Sequence, residues 1–267
     1  MADIKFYFSG DKTGRTKYAI EHTKEMEENY LDDIAKSTMN TKVYGYDGVE
    51  PNPLTTREKG NIQIELAGMG SVEAIFTKAE GKTAVLNFAS HKNPGGMFIQ
   101  GSKAQEECLC AESYLYNVLR QFDDTYYERN RKELNRALYT NKALYTPDVK
   151  FFHDVLSTSC DVITCAAPNY TTYKRFNLGG DDCNFDVLKS RIKYILDIAE
   201  ENEVDTLILG AYGCGVFGQN PSTVAKIFLK GLSSGQYGFK KVVFAIPKDF
   251  HTENYISFEA EIKKPSK

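Results

Sequence analysis

The sequence predicts an α/β fold, a mostly parallel sheet covered by helices, and three observations carry that prediction. Four short apolar runs, TAVLNFAS (83–90), DVITCAAP (161–168), VDTLILGAY (204–212) and KKVVFAIP (240–247), each lead into a polar or glycine-bearing turn, as buried strands do. Helical patterns lie between them at 103–122, 185–202 and 221–232, so strands and helices alternate. With 267 residues and 42% apolar content the chain can bury a real core, and its length suits one domain with an appendage better than two.

Ahead of the first strand, residues 14–40 are rich in Glu and Lys with spaced apolar residues, the pattern of a polar-faced helix laid on something larger. The turn-dense YGYDGVEPNPLTT then separates this N-terminal layer from the main domain. The expected division is a mainly helical extension over 1–80 packed on a catalytic core over 81–267.

Charges interrupt every apolar run of MADIKFYFSGDKTGRTKYAIEH, so neither a signal peptide nor a membrane anchor is expected there. Six cysteines without a secretory signal read as reduced thiols, which points to the cytoplasm. None forms a CxxC pair, and His22, His153 and His251 are scattered, so no metal site is expected. A formal charge of −3 lacks the basic balance of a general nucleic-acid binder, and no sequence-specific nucleic-acid binding is expected.

In such sheets ligands bind beyond the carboxyl ends of the strands, and two unusual loops begin there. The later one, in LGAYGCGVFGQNPSTVAKIFLKGL, carries Gly213, Gly215 and Gly218 as a literal GxGxxG before a helix that Asn220 caps and Pro221 opens. Backbone N–H groups there suit a phosphate; a glycine-rich turn with no ligand is the alternative. A nicotinamide-binding loop would sit in the first βα unit with an acid about 20 residues on, and neither condition holds.

The earlier loop is NPGGMFIQGSKAQEE, residues 93–107. Cys108, Ala111, Leu115, Val118 and Phe122 form one apolar stripe of a helix. At about 100° per residue, Glu107 falls roughly 65° from the centre of that stripe and Glu106 nearly opposite it. Glu107 is thus expected at the border of the buried side, where desolvation raises a carboxyl pKa and the positive helix end lowers it. Ordinary first-turn acids are the alternative. Gly95 and Gly96 permit close approach of a ligand, and Asn93 offers a donor and an acceptor to ribose hydroxyls.

These residues resemble the microbial-type poly(ADP-ribose) glycohydrolases, whose signature is a triple glycine followed at short distance by Gln-Glu-Glu. Here Gly95, Gly96 and Met97 precede Gln105, Glu106 and Glu107. VLNFASHKNPGG, AQEECLCAESYLY, ALYTPDVKFFHD, VITCAAPN and LGAYGCGVFG are similar to family blocks in the family's order, so the resemblance spans nearly the whole chain. It implies a macrodomain with an N-terminal helical extension that releases ADP-ribose from poly(ADP-ribose) by exo-type cleavage of ribose–ribose bonds, without a cofactor. It also implies Glu107 as the catalytic acid and base with Glu106 beside it in the catalytic pair, Glu106 and Asn93 on ribose hydroxyls, and Gln105 among the substrate-binding residues. Gly95 and Gly96 would shape the catalytic loop; Gly213, Cys214, Gly215, Val216 and Gly218 would cradle the diphosphate, with Phe217 against the distal ribose.

Met97 departs from the pattern by standing where the third glycine belongs. It keeps two other readings open: an ADP-ribose-binding module without turnover, and a hydrolase of mono-ADP-ribosylated substrates. A Cys–His nucleophile built from His91 and Cys108 or Cys110 is disfavoured, because those cysteines lie on or near the packing side of the helix. The YYERNRKELNR stretch, residues 126–136, mixes aromatic and basic residues, but its acids and helical spacing favour a solvated helix face over a polymer track.

Overall fold

The computed structural model describes residues 10–47, 49–249 and 252–264; His251 lies outside them. In chain order the main elements are α1 (Lys12–Met39), β1 (Lys42–Tyr44), β2 (Gln63–Ala67), α2 (Ser71–Lys78), β3 (Thr83–Phe88), α3 (Gln105–Ala111) and α4 (Leu115–Leu119). They continue with α5 (Glu128–Lys132), β4 (Ala143–His153), β5 (Leu156–Cys165), α6 (Tyr170–Arg175), α7 (Asp181–Glu201), β6 (Thr206–Leu209), α8 (Pro221–Leu232), β7 (Lys241–Ala245) and α9 (Thr252–Ile262).

The strands form one seven-stranded sheet in the order β1-β4-β5-β3-β6-β7-β2. The four predicted strands are its centre, β5-β3-β6-β7, and all pair in parallel. Period-two alternation splits their side chains between two layers. Val85, Val162, Ile208 and Val243 face the core shared with α1 to α4. Ala84, Leu86, Ile163, Leu207, Val242 and Phe244 face the core shared with α7 to α9. Burial on both faces explains why these strands read as continuous apolar runs.

The structure corrects the expected division at residue 80. β1 and β2 precede that point, yet they form the two edges of the sheet: β1 pairs antiparallel with β4, and β2 pairs parallel with β7. Only α1 answers to the helical extension, and it is woven into the rest. Asp11 caps it by accepting from Gly14 N–H at 2.7 Å, and it bends at Tyr30. Arg15 donates to the carbonyl of Gly101 at 2.7 Å, and the Tyr18 hydroxyl to that of Ala111 at 2.9 Å. The long helix therefore braces the loop and helix that carry the two acids.

The helix expected over 103–122 is broken. Between α3 and α4 the backbone turns to meet β4: Ser113 bridges Phe151, and the Phe152 N–H donates to the carbonyl of Glu112 at 2.8 Å. A single stripe from Cys108 to Phe122 thus does not describe α3, whose faces are covered separately.

Candidate active site

β3 and β6 are neighbouring parallel strands, in register from Thr83 with Thr206 to Val85 with Ile208. Paired strands lie about 4.8 Å apart, so the two glycine loops that leave their carboxyl ends emerge side by side. A bridge of rings also joins them. His91 stacks on Tyr139 at 4.0 Å, and Tyr139 stands 6.3 Å from Phe217.

The acid pair is buried, Glu106 with 3% of its surface exposed and Glu107 with 5%. Glu107 is held by two backbone donors: the Met97 N–H reaches Oε1 at 2.8 Å, and the Ala104 N–H reaches Oε2 at 2.9 Å. The second is the reach-back contact of a capping box. Glu106 accepts from the Ser90 N–H at 2.6 Å and from the Asn87 amide at 3.2 Å. The sequence expectation that Glu106 points away from the buried side is corrected: α3 lays that face on the end of β3. Burial, followed by the neighbouring Glu107 charge among the raising influences, pushes the Glu106 carboxyl up to about 8 against the contacts from Ser90 and Asn87. The group kept protonated near neutral pH is therefore Glu106.

Gln105 is absorbed into the scaffold. Its side-chain oxygen accepts from the Phe88 N–H, and its amide donates to the Leu86 carbonyl, both at 2.8 Å, and to Ser71 Oγ at 3.1 Å. It locks α3 onto β3 and α2 and so sets where the next two residues point.

Gly95 and Gly96 both have φ of +63°. A Cβ on Gly95 would lie 2.7 Å from the Tyr116 ring; one on Gly96 would lie 2.5 Å from Glu107 Oε1 and 2.9 Å from Glu106 Oε2. Gly96 thus roofs both carboxylates. Asn93 is exposed at the lip of the loop, where its carbonyl receives the Gly96 N–H at 3.1 Å. Met97 is not among the residues of positive φ, its N–H is the donor to Glu107, and its side chain is 44% exposed. A side chain at the third position leaves the loop intact.

The second loop is built differently. Gly213 (φ +73°) and Gly218 (φ +70°) are fixed by crowding, since a Cβ would stand 2.8 Å from Ala167 Cβ and 2.3 Å from Thr171 Oγ1 respectively. Gly215 has open space around it and no positive φ. The N–H groups of Cys214 and Gly218 close turns onto Ala211 and Gly215, both at 3.0 Å. Those of Gly215, Val216 and Phe217 donate to nothing among the described residues. Val216 is 83% exposed, and Phe217 is half-buried. Helix α8 starts only at Pro221, with Asn220 accepting from Thr223 N–H at 2.9 Å. The open donors therefore belong to the loop rather than to the helix's first turn, and successive unpaired N–H groups are what anion-binding concavities are built from.

Thiol chemistry finds no support here. Burial pushes Cys108 and Cys214 up to about 12 and Cys110 well above its ordinary value. Burial, aided by Arg191, lowers His91 to about 4, leaving a neutral ring against Tyr139. Sequence reading missed Asn87, Ser90, Tyr116 and Tyr139. The first two hold Glu106 from inside the NFAS block, where an Asn in an apolar strand was the available signal.

A family model described as microbial-type PARG, catalytic domain, matches residues 12–154, from the start of α1 to the end of β4, and includes the whole acid loop. The chain belongs to the microbial-type PARG family. Among solved structures, a poly(ADP-ribose) glycohydrolase (PARG) from Thermomonospora curvata is 27% identical with a TM-score of 0.79, over 93% of this chain and 99% of that one. The same organism's enzyme bound to the inhibitor ADP-HPD is 28% identical, with a TM-score of 0.77 over the same shares. A PARG from Deinococcus radiodurans in complex with ADP-ribose is 29% identical with a TM-score of 0.77, over 86% of this chain and 97% of that one. No match was found among curated proteins.

Proposed function

We propose that this PARG-family chain hydrolyses the ribose–ribose O-glycosidic bond of poly(ADP-ribose), working from the chain end and releasing ADP-ribose. The observation that carries the reading is the pairing of a buried two-carboxylate site with three open N–H donors on the neighbouring loop. One end fits a sugar, the other its diphosphate. Glu107 protonates the departing ribose oxygen as positive charge develops at the anomeric carbon, then takes a proton from the attacking water. Glu106, neutral near pH 7, donates to a ribose hydroxyl. Asn93 reaches a second hydroxyl at the lip, Gly95 and Gly96 let the sugar approach, and Phe217 packs against it.

The raised pKa of Glu106 favours a second reading of the same site, with Glu106 as the proton donor and Glu107 as its partner, because a buried carboxyl kept protonated near neutral pH can serve as a general acid. Chromatography of the products from polymer separates the readings. Wild type releases ADP-ribose; Glu107→Gln loses about 10²–10⁴-fold in kcat while Glu106→Gln loses less. The reverse order moves the acid to Glu106, and no ADP-ribose from wild type refutes polymer hydrolysis. The same assay on a mono-ADP-ribosylated protein tests the narrower substrate reading. The binding-only alternative drew on Met97, and the backbone at Met97 supports it no longer.

No described helix is long and apolar enough to cross a membrane. All six cysteines are free, which supports a reducing compartment such as the cytoplasm.

A further inference from the structure

Beyond the acid loop, on the side of α4, lies a cleft of about 650 Å³. That volume is within the range of roughly 300–1,000 Å³ typical of sites that enclose small molecules. Its wall begins at Asn93, Gly96 and Met97 and continues through Tyr116 and Arg120 to Arg131. Among its charged residues, two guanidiniums stand against one carboxylate, that of Asp123. Arg131 donates to Asp123 and to the Lys92 carbonyl, both at 2.9 Å, and Arg120 pairs with Glu27 of α1. Both arginine side chains keep about a third of their surface exposed, at 35% and 38%. Gln100 is exposed on the rim. The loop 210–220 contributes nothing to this wall.

We propose that this cleft is a second nucleotide subsite, which takes the ADP-ribose unit on the leaving side of the scissile bond. The inference rests on the hydrolase reading above. A polymer cut at Glu107 has two arms. One carries its diphosphate to the N–H groups of residues 215–217, so the other leaves the carboxylates in a different direction. Gly96 belongs both to the roof of Glu107 and to the cleft wall, so a single residue's thickness separates the cleft from the carboxylates. The chemistry along it matches one repeat unit: an aromatic wall at Tyr116 for a base, guanidiniums for a pyrophosphate, and the amide of Asn93 for a ribose hydroxyl.

Gln100 offers a clean test, because only its backbone N–H serves the loop, donating to the Met97 carbonyl at 3.1 Å. A pyrophosphate in the cleft makes kcat/KM on polymer rise about fivefold in Gln100→Lys and fall about fivefold in Gln100→Glu at about 0.02 M salt, both effects fading by about 0.5 M. Arg120→Gln lowers it in the same salt-dependent way. The calorimetric affinity of the tighter ADP-ribose site, the one that seats its diphosphate on residues 215–217, stays at the wild-type value in all three. Equal kcat/KM across the charge series in an active enzyme overturns the subsite, as do changes that track ADP-ribose affinity. A wild type that neither binds ADP-ribose nor cuts polymer overturns the hydrolase reading itself and the subsite with it, a result distinct from both.

Discussion

The two loops at the centre of the sheet come from the same kind of βα turn and end in opposite states. In the acid loop every carboxylate oxygen of Glu106 and Glu107 has a donor, and Gln105 is tied to strand and helix at both ends of its amide. In the second loop, residues 213–218, three backbone donors have no partner among the described residues, and Val216 stands in solvent. The acid loop is thus satisfied within the chain, whereas the second loop keeps donors open to a ligand. Preorganised polar groups cost no rearrangement during reaction, whereas unpaired donors exposed to water can exchange that water for a phosphate.

The sharpest way to break this contrast is to add one carbon at each loop. Gly96→Ala places Cβ against both carboxylates and forces an L-residue into a left-handed conformation costing about 1–2 kcal/mol. The expected result is a loss of about 10²-fold or more in kcat, since small misplacements of catalytic groups carry such penalties. Full activity would mean the carboxylates are not held beneath the glycine.

Glu106→Gln separates burial from function. The native state keeps the Glu106 proton up to about pH 8, while the ordinary value for the free group is 4.5. Between those values the native state binds one proton more than the unfolded chain, so stability falls as pH rises through that window. The glutamine variant is therefore as stable as wild type at pH 4 and more stable by on the order of 2–4 kcal/mol at pH 8, read by denaturant melts. A gain that does not depend on pH contradicts the assignment.

At the other loop, Gly215→Ala meets no neighbour and leaves stability within about 0.5 kcal/mol, yet lowers ADP-ribose affinity about tenfold by crowding the phosphate, a change of about 1.4 kcal/mol. Gly213→Ala, in contrast, destabilises through its positive φ and its contact with Ala167. The smallest effect is expected at Asn220→Ala, which costs about 1 kcal/mol of cap stability and leaves ADP-ribose affinity nearly unchanged. A large loss of affinity would return the phosphate to the helix terminus.

Elements whose physics is local were legible in the sequence. The four central strands are buried on both faces and stand out as apolar runs, while Asn220 and Pro221 mark the start of α8 to the residue. The strands that went unread are those whose pattern depends on distant partners. β1 and β2 are short and mostly half-exposed edges, and β4 is interrupted by an irregularity between Thr146 and Val149. The site showed the same split. Its glycines and acids carry their own signal, but the burial of Glu106 depends on α3 lying on the end of β3, where Asn87 and Ser90 reach the carboxyl, a tertiary contact with no mark within 103–122. Tyr139, with φ of +61°, is brought between His91 and Phe217 by tertiary contacts alone.

A structure of this chain with ADP-ribose bound tests the central claim most directly. Phosphate oxygens about 3 Å from the N–H groups of Gly215, Val216 and Phe217, with the anomeric carbon of the distal ribose turned to the Glu107 carboxyl beneath Gly96, is the predicted result. A diphosphate seated away from residues 215–217, or a ribose whose anomeric carbon faces away from Glu107, would contradict it.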